Sequence, residues 1–316
     1  MSFSSTNAAI KRDTVLPSLE VLAQAREKLV SKLPQNGIGE TETRRHLTED
    51  IVPALNLSSI SPNYYGFVTG GATPAAALAD NIVTQYDQNV QVHLPEETIA
   101  TEVEDKALRL LCSLLDLKPD DFPHRTFTTG ATASNIIGLA CGREYVVTQA
   151  ALKLGLRADE VNVGRHGLLR TCKMLGIEDI NILTTAPHSS LRKAASLIGL
   201  GASSVKLVNR SDAPHRIDLA KLREELDKPW TVNIVAISCA EVNTGFFATT
   251  GLDEMTEIRK ICDEFGAWIH VDAGKHTIHS ISGTLLTLAS LWRHGKTLEG
   301  PGILGGHQRK RRSRAC

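Results

Sequence analysis

Residues 232–273 read VNIVAISCAEVNTGFFATTGLDEMTEIRKICDEFGAWIHVDA, and this stretch decides the fold. It opens on an apolar run, 232–239, too short for a helix and rich in β-branched residues. A polar, glycine-containing loop follows, and then an amphipathic stretch over 253–265. A second apolar run, 268–271, ends on Asp272. Strand, helix and strand at this spacing make a βαβ unit, which implies parallel pairing. The same alternation extends backwards. Strands are expected at 126–129, 180–185 and 205–208, and helices at 133–145, 190–200 and 219–226. The spacing therefore predicts an α/β domain with a mostly parallel sheet and helices on both faces.

Upstream, the pattern is helical. Apolar residues recur at helical spacing over 19–33, 47–55, 72–86 and 99–115, with Pro34 and Gly37 breaking the first two apart. The chain has 316 residues, 42 % hydrophobic and 22 % charged, as in ordinary globular proteins. No apolar run reaches the roughly 18 residues of a membrane span, and the first residues lack a signal-like apolar stretch. A cytoplasmic protein without membrane contact is expected. The cysteines, Cys112, Cys141, Cys172, Cys239, Cys262 and Cys316, form no C-x-x-C pair. They read as small reduced apolar residues, neither a zinc site nor a disulfide framework.

The net charge of zero hides a split. Residues 274–316 carry eight basic residues against Glu299 alone, a balance of +7, so residues 1–273 carry −7. The run Arg309, Lys310, Arg311, Arg312 and Arg314 raises the idea of nucleic-acid binding. One short run without interleaved aromatics reads more simply as a solvated terminus, and no nucleic-acid partner is expected. His270, His276 and His279 lie close in sequence but lack matching carboxylate or cysteine spacing, so no metal is expected.

In parallel α/β sheets, ligands sit beyond the carboxyl ends of the strands, and four such ends carry chemistry. In FTTGATASN, residues 127–135, a strand runs into Gly130, Ala131 and Thr132 and a helix begins at once. Small residues and free N–H groups there suit a phosphate. In TTAPHSSLRKAA, His188 follows a strand and can stack on a flat ring. In CAEVNTGFF, Glu241, Asn243 and Thr244 offer a polar clamp, and Asp272 ends the last strand. A carboxylate at such a point costs free energy unless paired, and a protonated pyridine nitrogen is a fitting partner. Each has a plainer alternative: a helix cap, a loop histidine, an Asx turn at Asn243 and Gly245, and a turn aspartate.

Taken in chain order, these motifs resemble the fold-type-I pyridoxal 5'-phosphate enzymes, and most closely the group II amino-acid decarboxylases. SPNYYGFVTGGATPAA (61–76) and HLPEETIATEVEDKALRLLCSLLDL (93–117), with Pro95, Thr98 and Glu102, support that family over aminotransferases and other lyases of the same fold. The resemblance implies a carboxy-lyase acting on an amino acid, with pyridoxal 5'-phosphate as cofactor and a homodimer as the assembly. It implies phosphate contacts at Ala131 and Thr132 and ring stacking by His188. It places Asp272 at the ring nitrogen, Ala273 against the ring, Asn243 in the clamp loop, and Tyr64 and Tyr65 near the substrate. Asp272 and His188 become the candidate catalytic residues. Ala133 and Ser134 stand where many relatives carry Glu-Ala.

The resemblance covers about residues 16–273. It divides the chain into a helical segment (1–60), a cofactor-binding large domain (61–273) and a divergent basic tail (274–316). The family's later D-S-x-x-x-D-x-H-K run, which carries the Schiff-base lysine, does not occur in these 316 residues; Lys275, Lys296 and Lys310 lie in other contexts. The small C-terminal domain of the family is likewise not found. The expectation is a truncated decarboxylase that is inactive by itself, or a cofactor-binding pseudoenzyme.

Overall fold

The computed structural model describes residues 14–32, 35–61, 63, 71, 73–88, 92–241 and 244–273. They pack as two units, Met1–His93 and Leu94–Cys316.

In the first unit, α1 (Leu19–Glu27) starts where the Ser18 side chain accepts the Val21 N–H. Helix α2 (Gly39–Arg45) carries acidic residues in its first turn and basic ones in its last, the arrangement its dipole favours. It runs on into a wide turn over His46–Ile51 that buries Asp50. Lys28 donates to that carboxylate at 2.6 Å, and His46 Nδ1 lies 2.9 Å from it. Lys28, and after it His46, hold Asp50 below the usual carboxylate range. Helix α3 (Pro74–Tyr86) starts on a Thr73 cap with proline in its first turn, and ends at Asp87 with φ 43°.

The second unit opens with α4 (Ala100–Leu114), which buries Leu108 and Cys112. Helix α5 (Ala131–Lys153) follows, then the short α6 (Val163–His166) and α7 (Leu168–Leu175), separated by Gly167 at φ 75°. The alternation is next: β1 (Asp179–Thr184), α8 (Ser189–Leu197), β2 (Val205–Leu207), α9 (Leu219–Leu226), β3 (Thr231–Ser238), α10 (Leu252–Phe265) and β4 (Trp268–Asp272). The strands form one sheet in the order β2-β1-β3-β4, all pairs parallel.

Strand alternation divides the core. Ile180, Ile182, Ile234 and Ala236 face α5, α7 and α8. Leu183, Val235, Ile237 and Ile269 face α9 and α10. Helices thus cover both faces, and the fully parallel sheet needs that cover.

One expected strand does not form. Residues 126–129 join no ladder, because no strand lies beside them among the described residues, and Phe127 is exposed. The helix expected over 133–145 is longer, α5, and that over 19–33 stops at Glu27.

Helix α5 sits very close to β4. A Cβ on Gly138 would lie 2.6 Å from His270 Cε1, and one on Gly142 2.6 Å from Trp268 Cδ1. Trp268 cannot retreat easily, because its ring packs on Tyr145 at 5.2 Å. The two glycines, one helical turn apart, set the helix–sheet distance. Helix propensity alone would make Gly142→Ala stabilising by about 1 kcal/mol. The close contact reverses the sign, and we expect Gly142→Ala to lower the unfolding free energy by about 1–3 kcal/mol in urea titrations. A gain in stability would show that α5 and β4 are less tightly apposed.

Candidate functional site

The strand order reverses direction between β1 and β3: the chain steps from β1 outward to β2, then returns past β1 to β3 and β4. Such a reversal opens a crevice at the carboxyl ends of the two central strands. The sequence-predicted residues that the structure describes gather at this edge.

Ala131 and Thr132 begin α5 and are exposed. The capping position is Gly130, at φ 151°, a conformation that favours glycine, and it supplies no capping side chain. Helical hydrogen bonding starts with the Ser134 N–H donating to the Gly130 carbonyl. The N–H groups of the first turn therefore lie beyond the helix's own ladder, at the positive end of its dipole. Thr128 Oγ1 donates to the same carbonyl and lies 2.7 Å from Ser134 Oγ, which fixes the turn.

One turn further, Asn135 points inward and is buried at 3 % exposure. Its Nδ2 donates to Asp272 Oδ2 at 3.1 Å and to Ser190 Oγ at 3.1 Å. Its Oδ1 lies 2.8 Å from His270 Nε2. His188 caps α8: its Nδ1 accepts the Ser190 N–H at 3.3 Å and lies 2.7 Å from Ser190 Oγ. An unbroken hydrogen-bond path thus joins Asp272, Asn135, Ser190 and His188, drawing on β4, α5 and α8. Asn135 and Ser190 were given no role in the sequence reading. A polar residue on the inward stripe it shares with Gly138, Leu139 and Gly142 is the signal that marks Asn135.

Asp272 ends β4 opposite Ser238, and its carbonyl accepts the Cys239 N–H at 2.9 Å. Burial pushes the Cys239 thiol up to about 11, and the Asp272 charge pushes the same way. Cys239 stays a protonated thiol and no nucleophile. Ala273 packs with Cys239, Met255 and Val271. In the clamp loop, Glu241 accepts from Thr244 N and Oγ1, both at 3.0 Å. Ala240, just before it, holds φ 59°. Asn243, Tyr64 and Tyr65 lie outside the described residues, as do Lys275 and Lys296. These groups fit a two-ended ligand: backbone N–H donors at a helix start for an anion, and a carboxylate acceptor for a basic ring nitrogen.

The fold and this edge define a fold-type-I α/β domain. No family model matches the chain. Over 237 residues it is 25 % identical to tryptophan decarboxylase 1 of Oryza sativa subsp. japonica, covering 73 % of this chain and 43 % of that one. The glutamate decarboxylase domain of a diaminobutyrate-pyruvate transaminase and L-2,4-diaminobutyrate decarboxylase from Vibrio parahaemolyticus superposes with a TM-score of 0.64 at 18 % identity. That match covers 87 % of this chain and 56 % of the other. The Oryza sativa TDC solved with PLP and tryptamine gives 0.57 at 21 %, covering 81 % and 52 %. The resemblance read from the motifs holds: most of the proteins it matches are named as amino-acid decarboxylases, and a phenylacetaldehyde synthase from a Rosa hybrid cultivar is among the others. The chain spans less than half the length of the curated relative and about half of each solved chain. No helix among the described residues is long and apolar enough to cross a membrane.

His270 makes the edge sensitive to pH. Burial lowers its pKa, and the Asp272 charge opposes this only in part. A histidine held neutral in the folded state contributes stability above its unfolded pKa, near 6.5. As pH falls below that value the unfolded chain takes up the proton first, and stability declines. His270→Gln keeps a donor for Asn135 but cannot titrate. We expect urea unfolding of the unsubstituted chain to weaken more steeply below pH 6.5 than that of His270→Gln. Identical pH slopes would contradict the buried neutral imidazole.

Proposed function

We propose that this chain is the cofactor-binding domain of a pyridoxal 5'-phosphate dependent amino-acid decarboxylase. The observation that carries the reading is the convergence of the α5 start, His188 and Asp272 at one sheet edge, joined through Asn135. The similarity to named decarboxylases supports it, as does the PLP reported in a structural neighbour.

In this reading the first-turn N–H groups at Ala131 and Thr132 bind the phosphate. His188 would stack on the ring, and Ala273 would lie against it. Asp272 holds a proton at the ring nitrogen, since an adjacent carboxylate raises that nitrogen's pKa. The family resemblance would give Asn243 a part in the clamp loop, and Tyr64 and Tyr65 a part in binding the amino-acid substrate. The bound cofactor supplies an electron-accepting ring, which lets the substrate carboxylate leave as carbon dioxide. The functional division is a helical segment over 1–60, the cofactor domain over 61–273 and a basic tail over 274–316. The protein works in the cytoplasm and pairs with a second copy. Exposed apolar residues on α4 (Val103, Leu110 and Leu114) support an assembly larger than one chain.

In this reading these 316 residues, among which no D-S-x-x-x-D-x-H-K run occurs, hold the cofactor by non-covalent contacts. Pyridoxal 5'-phosphate is expected to bind saturably, with Asp272→Ala weakening it about tenfold or more. Borohydride treatment should leave no cofactor attached to the chain. Decarboxylation should stay near the rate of free pyridoxal 5'-phosphate. Failure to bind, or binding indifferent to Asp272→Ala, would sink the reading. Reductive attachment to one lysine, with turnover, would revive an active enzyme and overturn the non-covalent account.

A further inference from the structure

We propose that Asn135 is the positioning residue of this edge: its amide sets the direction of every hydrogen bond linking Asp272, Ser190, His188 and His270. The inference rests on the cofactor reading above for what is oriented, and on geometry for the direction.

The direction follows from a single fact. An ionised carboxylate only accepts, so the Asn135 atom facing Asp272 Oδ2 must be the amide nitrogen. That choice fixes the rest. The second amide hydrogen goes to Ser190 Oγ. Ser190 Oγ, already accepting, turns its own hydrogen to His188 Nδ1, which also accepts the Ser190 N–H. Two donors aimed at Nδ1 place the His188 proton on Nε2. On the other side, Asn135 Oδ1 is an acceptor, so His270 Nε2 must carry a proton. Burial keeps that imidazole neutral, so its Nδ1 is bare, and it lies against Gly138, which brings no side chain.

Asn135 thus uses both donors and an acceptor on partners in two elements, β4 and α8, while almost fully buried. No other common side chain of this size offers two donors and an acceptor from one planar group. An aspartate there would keep the acceptor for His270 but set a second carboxylate against Asp272. An alanine would remove all three bonds. Either change removes the Asn135 N–H from Asp272 Oδ2 and so loosens the orientation of the carboxylate towards a ring nitrogen.

Two measurements test this. The first uses pyridoxal 5'-phosphate as the probe and compares the unsubstituted chain, Asn135→Ala, Asp272→Ala and the double variant. Acting through Asp272, Asn135→Ala should weaken binding about tenfold when Asp272 is present and less than about twofold when it is absent. Equal losses in both backgrounds would mean a general structural role and overturn the proposal. The second reads histidine tautomers by 15N NMR in the unsubstituted chain without cofactor. His188 and His270 should both carry the proton on Nε2; a proton on Nδ1 alone, in either ring, overturns the assigned direction. This second reading needs neither a foldable variant nor a bound cofactor. If pyridoxal 5'-phosphate fails to bind, the proposed function falls, and the tautomers still decide the role of Asn135.

Discussion

The buried Asn135 amide ties the start of α5, the cap of α8 and the end of β4 into one network. It can do so only because α5 lies almost against β4, with Gly138 and Gly142 at the contact. Hydrogen bonds of this kind gain strength where water is excluded, and the loss of one partner strands the others. Removing a buried partner of a charged group costs about 1–3 kcal/mol. The packing of small residues on one helix is therefore the condition for the chemistry at its end. Without the close approach, Asn135 would not reach Asp272, and the edge would be three unrelated loops.

The sheet supplies the second condition. Its order, β2-β1-β3-β4, brings the ends of β1 and β3 together where the chain reverses direction. Parallel pairing points all four strands the same way, so the residues after them share an edge. Period-two alternation puts Trp268, His270 and Asp272 on the face that α5 covers, while Ile269 and Val271 turn to α10. Asp272 is thus aimed by strand geometry and then held by the amide.

Much of this was legible in the sequence. The strand–helix alternation from residue 180 onward was legible because buried parallel strands are short apolar runs and their crossover helices are amphipathic. His188 and Asp272 were legible because each directly follows such a run. The segment 126–129 looked like a strand by composition, yet a strand needs a neighbour, and composition does not reveal whether one exists. Helix α2, GETETRR, has no apolar stripe to announce it and relies on side-chain pairs such as Glu40–Arg44. Asn135 and Ser190 escaped because a lone asparagine or serine near a helix start reads as a surface or capping residue. Only the spacing Asn135, Gly138, Leu139, Gly142, a single stripe facing the sheet, carried the hint.

The most direct test of the account is to follow the histidine ring and asparagine side-chain NMR signals while pyridoxal 5'-phosphate is added. The account predicts that His188, Asn135 and His270 shift together and saturate together, while His166, held at the Glu160 carbonyl, stays unmoved. Saturable shifts elsewhere, with His188 and Asn135 unchanged, would place the cofactor outside this edge and contradict the account.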